Sequence, residues 1–408
     1  MAKKAEIEQT EIEAPYELPE GWKWCKQSEV CKLVDGEKIA DKEHPYLEVK
    51  YLRGTKEKSF VTSGKLIKKG TKVILVDGEN SGEVFAIHED GYMGSTFKAL
   101  SIENVDENYL QYFITTKKDL YRNNKKGSAI PHLNKDLFKN MPFPLPPTLA
   151  EQQRIVNRIE TMFAKLDQAQ KKVQAVLDSF ETRKAAILHK AFTGELTANW
   201  RKENGISDDP WEEKLFDSCI AKMQNGISKR SGSEGEETVV LRLANIGEND
   251  FDVSDLRTIK LTSKEQDNYS LTRDDVVMIR VNGSKTNVGR QILVKNNNGW
   301  SFCDHIIRIK YETFCMPSYM VYFSHTKEYK DYVQDNMVSS AGQNTISRKG
   351  LSNLRLKIPS LPEQQEIVRI LDTVLEKENR AKEAAGAVLD EIALLKKSIL
   401  ARAFRVEL

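Results

Sequence analysis

Basic and amide side chains are concentrated in the second half of the chain, between Arg280 and Lys295. This stretch contains arginine, lysine, asparagine and glutamine but no acidic residue. Such side chains can make paired hydrogen bonds to the edges of guanine or adenine, whereas serine and threonine suit phosphates. We therefore predict DNA contacts in this half at Ser228, Lys229, Arg230, Arg242, Asn245, Arg280, Asn282, Lys285, Asn287, Arg290 and Asn344.

The first half of the chain carries a looser counterpart of this pattern. Basic residues cluster between Lys117 and Lys126, and Asp77–Gly82 is a polar turn upstream. For each residue taken singly, an ordinary solvated surface is the better explanation. The set recurs in equivalent places of both halves, however, and this favours DNA contact. The contacts predicted for this half are Lys38, Lys50, Asn80, Lys125, Lys126, Ser128 and His132.

Catalytic interpretations of the chain are weaker. Asn140–Phe143 resembles part of an amino-methyltransferase motif, but no glycine-rich turn for S-adenosylmethionine accompanies it. Glu48-Val49-Lys50, taken as a strand with Asp35 or Asp41 upstream, has the arrangement of a metal-dependent nuclease. The chain has no HExxH pair, phosphate loop or GxSxG serine, so we predict neither catalytic nor metal-binding residues. A stand-alone nuclease stays open as an alternative, as does a coiled-coil adaptor that binds only proteins.

Composition limits the class of protein. The 408 residues are 39% hydrophobic and 30% charged, with a net charge of +2, which excludes a disordered chain and a histone-like polycation. No apolar run is long enough for a transmembrane helix or a signal peptide. The five cysteines are odd in number and lack CxxC spacing, so neither disulfides nor a zinc site is indicated, and a cytoplasmic location fits best.

The elements that must position the basic stretches occur twice, because the chain contains an internal repeat. The segment Pro146–Val156 returns as Ile358–Val368 at an offset of 212 residues, and both copies contain Glu-Gln-Gln. The correspondence continues without a gap to Leu196 and Leu408. Fixed-period similarity of this length indicates a duplicated architecture.

Both copies show the apolar spacing of a long helix in a coiled coil. Prolines fix the start of each helix, and about four heptads follow, so each helix should be about 40 residues long. We expect the two helices to pack on each other. The residues predicted to pack are Ile155, Ile159, Met162, Leu166, Val173, Val176 and Phe180 in the first copy, and Ile367, Leu371, Val374, Val388 and Ile392 in the second.

The segments between the helices also correspond, as alternating strands and a short amphipathic helix. The predicted fold class is α+β, with two similar α/β globular domains separated by two long antiparallel helices in an internal pseudo-twofold repeat. The predicted divisions are an acidic tail (1–16), a first globular domain (17–145), a central helix (146–199), a second globular domain (200–357) and a C-terminal helix (358–408).

The whole pattern resembles the specificity subunit of type I restriction–modification systems. The resemblance rests on the two helix entries and on four further passages, Leu18–Trp22, Ala191–Arg201, Val240–Ile246 and Ala341–Ser347. It covers nearly the whole chain from about residue 16. The first domain departs from the family at Asp35–Lys38, where the family has an Asn-Gly-x-Ser loop.

The resemblance implies a noncatalytic DNA-recognition subunit. Each globular domain would be a target recognition domain that reads one half of a bipartite site in double-stranded DNA. The helices would set the spacer, with Thr193–Thr197 in the place of the family's spacer repeats, and would dock two methyltransferase (modification) subunits. Restriction (translocase) subunits would join the assembly. S-adenosylmethionine, ATP and magnesium would bind those partners, and this chain would bind no cofactor and no membrane.

Apolar residues near the end of each helix remain outside the packing seam. Two interpretations are open: they help to bind the modification subunits, or they close the helices onto the globular domains. The residues are Ile187, Leu188, Phe192, Ile399, Leu400 and Phe404.

Overall fold

The computed structural model describes residues 14–40, 42–127, 131–206 and 211–408. The chain forms two compact units. The first comprises Met1–Gln174 and Gly386–Leu408, and the second comprises Ala175–Ala385. The chain thus passes from one unit to the other twice. The predicted division into five segments stays a prediction.

The first unit combines short strands with short helices. In chain order its elements before the long helix are β1 (Lys23–Lys26), α1 (Gln27–Val30), β2 (Cys31–Val34), β3 (Glu37–Ile39), β4 (His44–Leu47), α2 (Val49–Leu52), β5 (Phe60–Val61), β6 (Gly64–Ile67), β7 (Lys72–Leu75), β8 (Val84–Ala86), β9 (Gly91–Met93), β10 (Phe97–Ile102), α3 (Glu107–Thr116), α4 (Lys118–Asn123), α5 (Lys135–Asn140) and β11 (Pro142–Leu145). Their sheets have the strand orders β2-β10-β7-β8, β3-β6-β9-β4-β5 and β1-β11.

Helical chain follows, and then the second unit. The helices are α6 (Leu149–Asp178), α7 (Phe180–Phe192) and α8 (Ala198–Glu203). The remaining elements are β12 (Glu212–Leu215), β13 (Ile220–Asn225), β14 (Glu236–Leu241), β15 (Thr258–Leu261), α9 (Ser263–Tyr269), β16 (Val276–Ile279), β17 (Val281–Asn282), β18 (Gln291–Leu293), β19 (Ser301–Phe302), β20 (Ile306–Tyr311), α10 (Pro317–Ser324), α11 (Lys327–Asn336), β21 (Val338–Ser340), β22 (Gln343–Thr345), α12 (Arg348–Leu351), β23 (Arg355–Ile358) and α13 (Leu361–Phe404), with 3-10 turns at Phe216–Cys219, Leu243–Asn245 and Lys285–Asn287.

The two units share one sheet layout, as the repeat predicts. The sheet β13-β20-β16-β18 repeats the order of β2-β10-β7-β8, and β12-β23 repeats β1-β11. The parallel pair β14-β19 corresponds to β4-β9. Buried apolar strands lie inside each four-stranded sheet, since β7 and β16 are almost entirely buried. The predicted fold class, two similar α/β units joined through long helices, is confirmed.

The repeated Glu-Gln-Gln sequence has a structural role in each unit. Its first glutamine is buried, and its side-chain oxygen accepts a hydrogen bond from a backbone N–H at the start of a short helix. Gln152 Oε1 accepts from Asp106 N at 2.7 Å, and Gln364 Oε1 accepts from Met316 N at 2.7 Å. The long helix of each copy is thereby fixed to its own globular domain.

The long helices run antiparallel within each unit. In the first unit, Lys396 on α13 binds Asp167 on α6 at 2.6 Å. In the second unit, the Arg183 guanidinium on α7 donates to Glu378 on α13 at 2.8 and 3.0 Å. Charged pairs therefore supplement the apolar seam along both segments.

Burial along the seam is uneven. Ile155 and Ile159 are buried in the first unit, and Ile367 and Leu371 in the second. Most of the other predicted packing residues are buried or half-buried. Two residues correct the prediction, because Val176 is 48% exposed and Val388 is 40% exposed. An α-helix of 3.6 residues per turn drifts by about 20° per heptad, so the apolar face moves to neighbouring positions after several heptads.

The helix ends close onto the globular domains. Phe404 packs on Tyr109 and Phe113 in the first unit, with ring centroids 4.9 and 5.5 Å apart. Phe192 packs in the same way on two aromatic rings of α10 in the second unit. Leu188 and Leu400 are also buried in these cores. These contacts support closure of the helices onto the globular domains, and binding of the modification subunits by these residues stays a prediction. Among the described residues, no helix is long and apolar enough to cross a membrane.

Candidate nucleic-acid interface

Equivalent polar elements follow the buried strands β7 and β16. In the first unit, Asp77 and Lys126 both form bridges with His132. In the second unit, Asn282 and Ser339 both pair with Asn344 in the sheet β17-β22-β21. His132 and Asn344 are separated by the 212-residue offset of the repeat. The two copies therefore place predicted contact residues on corresponding edges.

His132 lies at the centre of the element in the first unit. Its Nδ1 lies 2.6 Å from Asp77 Oδ1, and both side chains are partly exposed. Lys125 Nζ lies 2.5 Å from Glu79, and Lys126 Nζ lies 2.6 Å from Asp136. These acidic partners orient basic groups at the surface. DNA phosphates could replace them, since exposed ion pairs are typically worth only about 0–1 kcal/mol.

Of the other residues predicted for the first unit, one lies near this element and two lie on a different part of the unit. Asn80 is half-buried in the turn after β7, whereas Lys38 is exposed on β3 and Lys50 is exposed on α2. Lys38 and Lys50 thus belong to the part of the unit built around the five-stranded sheet. Ser128 lies outside the described residues.

The described acidic residues of the nuclease alternative pair with different lysines. Glu48 and Lys50 are not on a strand, which corrects the prediction, because β4 ends at Leu47 and Lys50 is helical. Glu48 pairs with Lys56. Hydrogen bonds from Lys65 and Lys98 lower the pKa of Asp35 to about 2. Asp41 lies outside the described residues.

Two arginines converge on one backbone turn in the second unit. Arg230 Nη2 lies 2.8 Å from the Asp304 carboxylate, and Arg280 Nη1 donates to Asp304 O at 3.3 Å. The ion pair and nearby His305 lower the pKa of Asp304 against the effect of its burial. The turn therefore binds two guanidinium groups, one through its carboxylate and one through its backbone oxygen.

Cys303, Asp304 and His305 form the group of potential metal ligands found among the described residues. Two features disfavour a cation there. The Asp304 carboxylate already pairs with Arg230, and burial raises the pKa of the Cys303 thiol. Metal coordination requires the thiolate, so the arrangement suits an ion pair better than a metal centre.

Several predicted contacts serve the fold of the second unit. Asn245 is 1% exposed and donates to the backbone oxygens of Asp252 and Asp255. Asn344 donates to Asn282 O and Gly283 O, which holds the β17 turn. The amide groups of these asparagines are therefore used inside the protein.

The basic residues vary in how firmly they are held. Lys229 pairs with Glu265 at 3.0 Å, and Arg242 pairs with Asp255 at 2.9 Å. Ser228 and Lys285 are exposed. Arg290 donates to Asn287 Oδ1 at 2.6 Å. The pairing of Asp77 with His132 and of Asp304 with Arg230 was not predicted, because the partners lie 55 and 74 residues apart in the sequence.

Comparison with known proteins identifies relatives of the whole chain. The family model for the type I restriction modification DNA specificity domain matches residues 19–177 and 214–385. The type I restriction enzyme StySPI specificity subunit of Salmonella potsdam is 30% identical, with 96% of this chain and 90% of the relative covered. The EcoKI specificity subunit of Escherichia coli K12 is 24% identical over the same shares.

Solved structures share the fold. A chain from a structural study of complex assembly and conformational transition of the type I R-M system has a TM-score of 0.73 at 18% identity, covering 97% of this chain and all of that one. The HsdS subunit from Thermoanaerobacter tengcongensis has a TM-score of 0.58 at 18% identity, covering 98% of this chain and all of that subunit.

Proposed function

The chain belongs to the type I restriction–modification DNA specificity family, and we propose that each of its two units reads one half of a split DNA site. The observation that carries this is the repetition of one polar element at corresponding edges, around His132 in the first unit and Asn344 in the second. The units differ in the side chains they present there, so the two half-sites should differ in sequence.

Base contacts in this proposal come from arginine and amide groups near the β16 strand, with Arg280 as the leading candidate. Its guanidinium is held at one end by Asp304 O and is only half-buried. Lysines at the same surface would contact phosphates, which orient the protein but carry no sequence information. In the first unit, His132 occupies the position equivalent to Asn344, and Lys126 the position equivalent to Ser339.

Chemistry is proposed to come from other proteins. Two methyltransferase subunits would dock on the long helices and bring S-adenosylmethionine, and restriction subunits would bring ATP and magnesium. The assembly would work in the cytoplasm. This chain would contribute recognition and the distance between half-sites, since both of its passages between units fall inside α6 and α13.

Methylation mapping tests the proposal. The chain is expressed with its neighbouring methyltransferase in a host that lacks other methylation, and the modified motif is read from the genome. A motif with two defined halves and an undefined spacer is expected. A continuous motif, or methylation that does not depend on this chain, would overturn the proposal.

The nuclease alternative has a separate test. Purified chain alone is incubated with magnesium and plasmid DNA, and no cleavage is expected. If the purified chain cleaved the DNA specifically and Glu48→Ala abolished that cleavage, the chain would be a nuclease and not a recognition subunit.

A further inference from the structure

A cationic cavity lies in the second unit beside the segment that follows β17. Its volume is about 290 Å³, and it is bounded by α7, by Lys285–Arg290 and by α11. Ligand pockets typically measure about 300–1,000 Å³, so this one has room for a small anion and part of the molecule attached to it. Its basic lining residues are Lys184, Lys285, Arg290 and Lys330.

Positive charge exceeds negative charge at the walls of this cavity. Lys184 Nζ lies 3.0 Å from Glu248, which is the acidic residue of the lining. Within the part of the chain that the structure describes, Lys285 and Lys330 form no ion pair. Like charges that share a small space repel one another, so the cavity is electrostatically complementary to an anion.

Arg290 is held in place through neutral oxygens. Its guanidinium donates to Gly247 O at 3.1 Å and to Asn287 Oδ1 at 2.6 Å, so these hydrogen bonds leave its charge uncompensated. The segment that carries Arg290 is anchored to α11, because Tyr329 Oη donates to Gly289 O at 3.0 Å. Hydrogen bonds therefore hold both the Arg290 side chain and its segment in the cavity wall.

The pKa shifts of two lining residues agree with several positive charges lying close together. Burial lowers the pKa of Lys330, and the charges of Lys184 and Arg290 lower it further against nearby acidic groups. Burial, together with Lys184 and Lys330, lowers the pKa of His325 to about 4. The imidazole is thus neutral near pH 7 and can offer a hydrogen bond without adding charge.

We propose that this cavity binds a phosphoryl group, held by Lys184, Lys285, Arg290 and Lys330. Lys184 lies on α7 and Lys330 lies on α11, and neither residue was predicted from the sequence. Tetrahedral oxyanions with several acceptor oxygens match converging ammonium and guanidinium donors. The phosphoryl group belongs to the backbone of bound DNA or to free phosphate. The DNA assignment rests on the proposed function, because Lys285–Arg290 carries predicted DNA contacts.

The test compares two double variants of the full chain. Lys184→Gln/Lys330→Gln removes two charges from the cavity. Lys190→Gln/Lys327→Gln removes two charges from exposed positions of the same helices, α7 and α11, that do not line it. Net charge changes equally, so a difference between the variants reports the cavity itself. Thermal unfolding in chloride buffer checks folding, and Lys330→Gln alone replaces the double variant if that variant melts early.

The first measurement is duplex binding over a series of salt concentrations, with the chain assembled with its methyltransferase. Loss of one backbone phosphate contact should weaken binding by roughly tenfold and reduce the slope of log K against log salt by about 1. The loss should be equal for the recognised sequence and for random duplex. The control variant should lose less than half of this.

The second measurement uses inorganic phosphate without DNA. Phosphate should raise the melting temperature of the wild-type chain above that in chloride of equal ionic strength, and the cavity variant should lose this shift. A change in duplex binding, with or without this shift, assigns the site to DNA backbone, and a phosphate shift alone assigns it to free anion. If both variants match in both measurements, the site does not exist. If the wild-type assembly bound no duplex, the proposed function would be wrong. Phosphate binding would then be the only test of this inference.

Discussion

At the scale of single residues, the acidic partners of the basic groups determine which donors stay free for the DNA contacts that we propose. Arg280 and Arg230 share Asp304, and one of the two bonds is to a backbone oxygen that leaves the guanidinium charge uncompensated. A guanidinium presented in this way keeps donors free for a second partner. Asn245, by contrast, has its amide group committed to the fold.

Arg280→Ala should relax one half of the recognised motif. If Arg280 contacts a base, its loss should cost about 1–3 kcal/mol at one position of one half-site and leave the other half unchanged. The methylation motif of cells that express the variant with its methyltransferase gives the answer. Lys222→Ala, at an exposed position of β13, is the control. An unchanged motif, or equal weakening of both halves, would remove Arg280 from base recognition.

His325 should make the second unit sensitive to acid. Its pKa in the folded protein is about 4, lowered by burial and by Lys184 and Lys330 against Glu248. Unfolded histidine titrates near 6.5, so the unfolded state binds more protons between these values. Stability is therefore complete above about pH 6.5 and should fall by about 1–3 kcal/mol as the pH drops to 4.

The measurement for His325 is the difference in melting temperature between pH 7 and pH 4.5. The difference should shrink in His325→Gln and persist in His189→Gln, whose side chain is exposed on α7. Carboxylates add acid sensitivity to every variant. The prediction therefore concerns how the melting-temperature difference of His325→Gln compares with those of His189→Gln and wild type. Identical profiles for His325→Gln and wild type would refute the buried, neutral imidazole.

At the scale of elements, the start of α13 depends on a buried ion pair. Arg201 Nη1 on α8 lies 2.6 Å from Glu363 Oε1, and Thr197 donates to the same oxygen at 2.6 Å. Both charged side chains are nearly inaccessible, at 8% and 1% exposure. The segment after α7 is thereby bound to the first turn of the second long helix.

Arg201→Met should destabilise the second unit by about 3–5 kcal/mol, because it leaves the Glu363 carboxylate buried without a positively charged partner. Adding Glu363→Gln should restore most of the loss. Arg369→Met, which breaks an exposed pair with Glu366 on the same helix, should cost less than about 1 kcal/mol. Urea unfolding of the full chain measures all three. If Arg201→Met costs no more than Arg369→Met, the buried pair does not stabilise this junction.

The sequence predicted some of these elements more accurately than others. The repeat and its prolines located the starts of α6 and α13, because periodicity and helix-breaking residues act locally. The prediction of one continuous helix in the first copy was wrong, because α6 ends at Asp178 and α7 begins at Phe180. Glu48 and Lys50 were assigned to a strand wrongly, since a short alternating segment does not separate a strand from a turn of helix. Val176 and Val388 were misplaced because drift accumulates along a long helix. The partners of His132 and Arg230 depend on tertiary contacts, which no local pattern carries.

At the scale of the whole molecule, the chain joins its two units only through helices. One passage lies between Gln174 and Ala175 in α6, and the other lies between Ala385 and Gly386 in α13. Helical chain has a fixed rise of about 1.5 Å per residue and resists compression. If each unit reads a half-site, the spacer between half-sites should follow the lengths of these two helices together.

Inserting four helix-forming residues at both passages should lengthen the DNA spacer. Four residues add about 6 Å and shift the helix face by about 40°, which keeps the packing seam roughly aligned. B-DNA advances by about 3.4 Å and 36° per base pair, so the spacer should grow by one or two base pairs with both half-sites unchanged. Methylation mapping of the variant reads this directly. Insertions of two residues are the control, because they turn the seam by about 200° and should abolish modification. A motif that keeps its original spacer after the four-residue insertions would show that the helices do not set the distance between half-sites.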